Sequence, residues 1–234
     1  MRLDVLKAMN AARRERRAGV MVTRFEGGGE RFVERDGFAA DALGESLDEA
    51  LRMGKSGAVT VDGVEYFLTV QAPAPRLTLI GAVHISQALA PMARIAGLDV
   101  TVIDPRTAFA SPERFPDVAV IAEWPDEALA AAPLDRYTAI CLPTHDPKID
   151  DPALIRALEA DCFYIGALGS RKTHAKRIER MRAKGFDDAA IARIHAPIGL
   201  DIGAVSPAEI AVSIIGEIVA SLRRKPLRSE SGAP

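Results

Sequence analysis

A βαβ unit near the middle of the chain constrains the fold more than any other feature. The apolar stretch Leu77–Ile80 runs into Gly81, a helical pattern follows, and a second apolar stretch, Val100–Ile103, ends at Asp104. A strand that meets a glycine at the start of a helix, followed about twenty residues later by a strand ending in an acid, is typical of nucleotide-binding folds. The sequence therefore predicts a Rossmann-like domain.

The glycine fingerprint of that fold is incomplete. Dinucleotide-binding proteins have glycine at the first, third and sixth positions, where this chain has Gly81, Val83 and Ser86. Because the branched side chain of Val83 stands where a pyrophosphate contacts the backbone, we expect the frame to hold another phosphate-bearing ligand. An NAD(P)-dependent oxidoreductase is the second hypothesis, and a scaffold with a degenerate nucleotide site that binds only partner proteins is the third.

Strands and helices alternate after the Pro-rich segment 71–76, which predicts an α/β fold with a doubly wound parallel sheet. The expected strands are 77–80, 100–103, 118–122, 139–142 and 163–165, and the expected helices are 85–96, 126–131, 152–159, 171–183 and about 207–223. We predict a small α+β N-terminal domain over 1–74, a Rossmann-like C-terminal domain over 75–225, and a disordered tail over 226–234.

The predicted N-terminal domain contains two hairpins. Helical spacing covers 2–17 and 40–53, and short apolar strands cover 19–23, 30–33, 57–61 and 64–70. The three glycines Gly27–Gly29 separate the first pair of strands, and Asp62-Gly63, a strong hairpin signal, separates the second.

Candidate ligand-binding residues follow the strands of the predicted parallel sheet, because ligands of such sheets bind outside the carboxyl ends of the strands. We expect Asp104 and Arg106 to meet a ribose or pterin, and His84 and His145 to hydrogen-bond its polar head. We expect the glycine loop before the helix at 171 to bind an anion through backbone N–H groups and cations. The full set is Gly81, His84, Asp104, Arg106, Thr144, His145, Gly166, Gly169, Ser170, Arg171 and Lys172.

Composition excludes several other classes. The net charge of −2 argues against a general nucleic-acid binder, and no apolar run approaches the roughly 18 residues that span a bilayer. The only cysteines, Cys141 and Cys162, lie in apolar runs, which indicates core residues in a reducing compartment. We therefore expect a cytoplasmic protein. The four histidines have no metal-ligand spacing, so we predict no metal site.

Residues 77–223 resemble the XdhC/CoxI family, the accessory proteins of xanthine dehydrogenase and related molybdenum hydroxylases. The resemblance implies a non-catalytic chaperone that binds molybdenum cofactor (molybdopterin), protects it during sulfuration and delivers it to a molybdenum hydroxylase client. A cysteine desulfurase is an expected further partner, and homodimerisation is the default for such a domain. The matching segments are 81–84, 102–106, 144–146, 164–171 and 195–203.

The chain departs from the family pattern at two positions. A glycine is expected where Val83 stands, and a histidine often follows the acid that corresponds to Asp146, where this chain has Pro147. The first departure weakens the case for a bound dinucleotide, and the second removes one polar group from the expected pocket. The N-terminal segment also lacks the glycine-rich, cysteine-bearing pattern of longer members, so functions that reside there are expected to be absent or supplied by another protein.

Overall fold

The computed structural model describes residues 2–223, and these form two compact units, residues 2–73 and residues 74–222. The predicted disordered tail, residues 226–234, lies outside the described residues. The N-terminal unit has one antiparallel sheet in the order β2-β1-β4-β3. Its elements are α1 (Leu3–Arg14), β1 (Gly19–Arg24), β2 (Glu30–Glu34), a 3-10 helix (Arg35–Ala40), α2 (Gly44–Met53), β3 (Gly57–Val61) and β4 (Val64–Gln71).

Both predicted hairpins are confirmed. Asp62 and Gly63 connect β3 to β4 with positive φ angles of 51° and 76°, the conformation of a tight hairpin turn. The glycine-rich segment that includes Gly27 and Gly28 connects β1 to β2. The core of this unit forms where α2 packs Leu47 against the strand residues Val20 and Leu68, all nearly inaccessible to solvent.

The second unit is a six-stranded parallel sheet in the order β7-β6-β5-β8-β9-β10. Its strands are β5 (Arg76–Ile80), β6 (Asp99–Ile103), β7 (Ala119–Ile121), β8 (Thr138–Leu142), β9 (Tyr164–Ala167) and β10 (Ile194–His195). Its helices are α3 (His84–Ile95), α4 (Pro125–Ala131), α5 (Pro147–Glu159), α6 (Arg171–Ala183), α7 (Asp188–Ile191) and α8 (Pro207–Arg223). This is the strand order 3-2-1-4-5-6 of a Rossmann fold, which confirms the predicted fold class.

Two hydrophobic clusters cover the two faces of this sheet. One joins the sheet to α3 and α8, and the other joins it to α4, α5, α6 and α7. Alternate residues of a strand therefore enter opposite clusters: Tyr164 packs on the α3/α8 face and Ile165 on the α5/α6 face.

Four elements near the sheet edge differ from those expected from the sequence. Helix α5 begins at Pro147 rather than at Pro152, with Asp146 as its N-cap. Strand β9 extends to Ala167, so Gly166, expected in a loop, is buried inside the strand. Strand β10 and the short α7 were not predicted, because two and four residues are too short to show a hydrophobic period.

Candidate functional site

The point at which the strand order reverses lies between β5 and β8, and the chain leaves both strands at the same edge. Gly81 follows β5 with a φ of 112°, and Thr144 follows β8 and packs directly against it. Crevices at such a switch point are where Rossmann folds hold their ligands. The first predicted site residue therefore lies at the expected place, but its free face is covered by Thr144.

A buried serine holds the loop between β5 and α3. Ser86 occupies the third glycine position of the fingerprint, is fully buried, and donates a hydrogen bond of 2.6 Å to the carbonyl of Gly81. Val83 is the N-cap of α3, with an extended backbone. The two departures from the fingerprint thus lie at the N-cap and in the first turn of α3, where Ser86 binds the protein's own backbone, which gives no support to NAD(P) binding.

The carboxylate of Asp104 is buried and fully engaged by neighbouring donors. Its Oδ2 accepts from the Ala82 backbone (2.7 Å) and Arg106 Nη2 (2.7 Å), and its Oδ1 accepts from Arg106 N and Nε (2.9 Å each). Burial alone would raise the pKa of Asp104, but the hydrogen bonds from Arg106 and Ala82 outweigh it and hold that pKa below its ordinary value. Asp104 ties the β5 loop to the β6 loop, and its contact with a ligand stays a prediction.

A cationic pocket opens between the N-terminal part of α5 and one face of α6, on the other side of Thr144. It has a volume of about 180 Å³. Its lining residues come from the loop after β8 and from two helices: His145, Pro147, Asp150, Lys172, Thr173, Lys176, Arg177 and Arg180. Four of these eight residues are lysine or arginine, so the pocket favours an anion.

The floor of this pocket is a buried pair, Asp150 and Arg177, of which each side chain is 2% exposed. Thr144 Oγ1 donates to Asp150 Oδ1 at 2.5 Å, and Arg177 Nη2 donates to the Leu168 carbonyl at 2.9 Å. Burial raises the pKa of Asp150 to about 6, although the Thr144 hydrogen bond and the Arg177 charge act in the opposite direction. Thr144 therefore connects the switch-point loop to the pocket.

The structure brings most of the predicted residues to this edge. Gly81, Asp104, Arg106 and Thr144 meet at the switch point, while His145 and Lys172 line the pocket beyond it. Ser170 caps α6 by accepting from the Thr173 backbone, and thereby fixes the start of the helix that carries Lys172. Gly169 precedes it with a φ of 143°.

Three predicted residues stand apart from this group. His84 and Arg171 are exposed and do not line the pocket. Gly166 lies inside β9 and not in a loop, and an added Cβ there would lie 2.6 Å from Ile198 Cδ1; its contact with an anion stays a prediction.

Sequence reasoning missed Arg177, Arg180, Lys176 and Asp150. The signal was present in the helical spacing, since Lys172, Lys176 and Arg180 are four residues apart and share one face of α6. Asp150 was missed because Pro152 was interpreted as the start of α5, which left the acid in a loop.

The segment around His195 is held by one carboxylate on the opposite face of the sheet. Glu217 Oε2, on α8, accepts hydrogen bonds from Tyr164 Oη (2.6 Å) and from the Gly199 backbone (2.8 Å). The other carboxylate oxygen, Oε1, lies 3.0 Å from His195 Nδ1. Burial acts to raise the pKa of Glu217, but the hydrogen bonds from His195, Tyr164 and Gly199 lower it overall. This network fixes the end of β10 against α8 and contributes nothing to the α5/α6 pocket.

Within residues 2–223, no three or more His, Cys, Asp or Glu side chains are grouped so that they could hold a metal ion. In the same part of the chain, no helix has the length and apolar character needed to cross a membrane.

Comparison with known families identifies the second unit. Residues 77–218 match the family model described as the XdhC Rossmann domain. The matched range runs from β5 into α8, and therefore contains both the switch point and the pocket.

Three curated bacterial proteins are similar to this chain. They are the uncharacterized protein YqeB of Escherichia coli (34% identical over 72% of this chain and 32% of that protein), a probable xanthine dehydrogenase subunit of Bacillus subtilis (32%, over 65% and 44%), and the molybdenum cofactor insertion chaperone PaoD of Escherichia coli (33%, over 64% and 41%). The matches span less than half the length of each of these relatives.

A solved structure shares the fold of this chain. The crystal structure of a xanthine dehydrogenase from Bacillus halodurans superposes with a TM-score of 0.65 at 22% identity, over 97% of this chain and 65% of that one.

Proposed function

The chain belongs to the XdhC family, and from that premise we propose that it binds molybdenum cofactor and assists its insertion into a xanthine dehydrogenase-type molybdenum hydroxylase. The names of two relatives support this role, one as a molybdenum cofactor insertion chaperone and one as part of a probable xanthine dehydrogenase. In this proposal the cofactor is cargo, and the protein performs no chemistry on it.

The observation that carries the proposal is the buried guanidinium of Arg177 at the floor of a cationic pocket on the ligand-binding edge. The cofactor is a pterin that bears a phosphate, and arginine and lysine are the side chains that hold phosphates. The phosphate would enter the pocket near the start of α6. The residues that it would pass there are Gly169, Ser170, Arg171 and Lys172. Arg106, held by Asp104, would face the pterin, and His84, Thr144 and His145 would contact its polar groups.

The finer parts of the role are proposals that rest on the family alone. We propose that the protein keeps the cofactor bound during sulfuration, that a cysteine desulfurase supplies the sulfur, and that the chain forms a homodimer in the cytoplasm. The N-terminal unit has no assigned part in this scheme.

The test is retention of the cofactor by the full chain. The protein is incubated with molybdenum cofactor, separated from free cofactor, and the retained pterin is oxidised and measured by fluorescence. We expect Arg171→Ala/Lys172→Ala to lose most of the retained pterin. The matched control, Arg182→Ala/Lys184→Ala, removes two cations from the far end of the same helix and should retain it. Retention by the wild type no better than by Arg171→Ala/Lys172→Ala would exclude this site.

Activation of a client enzyme is the second measurement. Cofactor-free molybdenum hydroxylase is mixed with cofactor in the presence and absence of the protein. A chaperone should raise the yield of active enzyme, and equal yields with and without it would contradict the proposed function.

A further inference from the structure

Arg177 is a buried cation whose hydrogen-bonding capacity is mostly unused. Its Nη2 donates to the Leu168 carbonyl, but Nε and Nη1 have no hydrogen-bond partner within the described part of the chain. Unpartnered buried donors are rare and destabilising. A helix residue that only packed against Met181 and its neighbours would be apolar, so this arginine needs another explanation.

Asp150 does not accept a hydrogen bond from the free donors of Arg177. Its Oδ1 accepts from Thr144, but Oδ2 accepts no hydrogen bond from residues 2–223 and lies 3.9 Å from Arg177 Nη2, beyond hydrogen-bond distance. A structural ion pair in a low-dielectric interior is stable only with close, well-aligned hydrogen bonds. The pair is open, and its free groups are Nε and Nη1 on one side and Oδ2 on the other.

The charges around Arg177 and Asp150 decide what kind of ligand could bind to their free groups. Lys172 and Lys176 line the same pocket, and Arg180, which also lines it, is paired with Asp151 at its outer side. A cation would therefore meet net repulsion. The Nε–H and Nη1–H groups point to opposite sides of the guanidinium, so one tetrahedral oxyanion can accept from one of them together with the second N–H of Nη2.

We infer that the α5/α6 pocket binds a tetrahedral dianion on the guanidinium of Arg177, and that Asp150 takes up one proton from solvent as the anion enters. The resulting neutral carboxyl group donates its O–H from Oδ2 to an oxygen of the anion. The inference deepens the proposed function and rests on it for one point, namely that the bound dianion is the phosphate monoester of the cargo.

The burial of Asp150 makes this proton uptake feasible near neutral pH. Its pKa is already raised to about 6 by burial, and a dianion beside it raises that pKa further. The charged groups that face it are Asp146 and Asp151 from α5, and Arg177, Arg180, Lys172 and Lys176 from α6.

Two histidines lie near the buried pair of Asp150 and Arg177. His174, on α6, has a pKa lowered by burial and by the charge of Arg177. His145 also lines the pocket, so the experiment includes its variant.

Inorganic sulfate is the probe, because its charge stays at −2 across the pH range in which Asp150 titrates. Binding is measured by calorimetric titration of the full chain from about pH 5 to about pH 8, at constant ionic strength set by chloride. We expect the affinity to fall above about pH 6, approaching tenfold per pH unit. The heat should depend on the ionisation enthalpy of the buffer, as proton uptake requires.

The variants separate the two parts of the inference. Arg177→Lys should weaken sulfate binding at least tenfold, and Arg182→Ala should not change it. Asp150→Asn mimics the protonated carboxyl, so it should bind sulfate with little pH dependence and, at about pH 8, more tightly than the wild type. His145→Gln should keep the pH slope. Sulfate binding no tighter than chloride binding, or a pH slope that persists in Asp150→Asn, would overturn the inference.

Competition identifies the source of the anion. If the pocket holds the phosphate of the cargo, excess sulfate should displace retained pterin from the wild type. Retention that is indifferent to sulfate would overturn that assignment. A protein that binds sulfate with the expected pH slope but retains no cofactor would contradict the proposed function and leave the anion pocket intact.

Discussion

The methyl group of Thr144 occupies the space that a side chain at Gly81 would need. An added Cβ at Gly81 would lie 2.1 Å from Thr144 Cγ2, and the φ of 112° at this position is one that L-residues rarely adopt. The first glycine of the fingerprint is therefore required here by the strand end of β8, not by an approaching pyrophosphate. It marks the place where β5 and β8 diverge and brings Thr144 within reach of Asp150.

Gly81→Ala should destabilise the protein by about 3 kcal/mol, because backbone strain and overpacking each contribute on the order of 1–3 kcal/mol. The free energy of unfolding, measured by chemical denaturation, checks this. Thr144→Ser removes the methyl group but keeps the hydroxyl that bonds Asp150, so the double variant Gly81→Ala/Thr144→Ser should recover part of the loss. Strictly additive effects of the two substitutions would show that the contact with Thr144 is not the cause.

Asp104→Asn should destabilise the fold by about 2 kcal/mol near neutral pH, because the amide can accept only part of the hydrogen bonds from Ala82 and Arg106. The pKa of Asp104 is lowered in the folded state, so its contribution is present above the ordinary pKa of the group and is lost as the pH falls through the lowered value. The stabilities of wild type and variant should thus converge in acid. Asp99→Asn, at the exposed start of β6, is the control. A stability difference between the wild type and Asp104→Asn that stays constant down to about pH 3 would contradict this account.

The regular parts of the fold could be predicted because each has a local signal. The Asp62-Gly63 turn depends on two residues that tolerate positive φ, and both have it. A capping box marks the start of α8, with Glu209 Oε2 accepting from the Ser206 backbone and Ser206 Oγ accepting from the Glu209 backbone.

The site could be predicted only in part, because its buried floor depends on contacts between distant elements. The carboxyl ends of the strands pointed to the edge at which the pocket lies, and to two of its lining residues, Lys172 and His145. Arg177 could not be distinguished from the solvated cations of α6 by its type, and only the packing of α6 on the sheet buries it. The pairing of Asp104 with Arg106, two residues away, was not predicted, and the ligand contact of Asp104 stays a prediction.

Asp150→Asn should become more stable relative to the wild type as the pH rises. The folded-state pKa of Asp150 is about 6, above its ordinary value of 3.8, so its stabilising protonated form is fully present below that ordinary value and is lost as the pH rises through about 6. The amide stays neutral throughout. The difference in unfolding free energy between variant and wild type should therefore grow from about pH 4 to about pH 8, by up to an amount on the order of 3 kcal/mol.

The control for this measurement is Asp151→Asn, at the next residue of α5, which is ion-paired with Arg180 at the outer side of the pocket. Its difference from the wild type should not follow the same curve. A flat difference between Asp150→Asn and the wild type across this range would mean that the carboxyl group is not buried as described.

Neither cysteine should react with thiol reagents in the folded protein. Cys141 and Cys162 are 1% and 4% exposed, and burial raises the pKa of both thiols, that of Cys162 to about 12. Since the thiolate is the reactive form, labelling by a maleimide should be slow in buffer and rapid in denaturant, as mass spectrometry of the intact chain would record. Cys141→Ala should activate a client enzyme as well as the wild type does, because a thiol held in the sheet core cannot accept sulfur from a desulfurase. A persulfide on Cys141 in the native protein, or loss of client activation in a folded Cys141→Ala, would instead place this cysteine on the path of the sulfur.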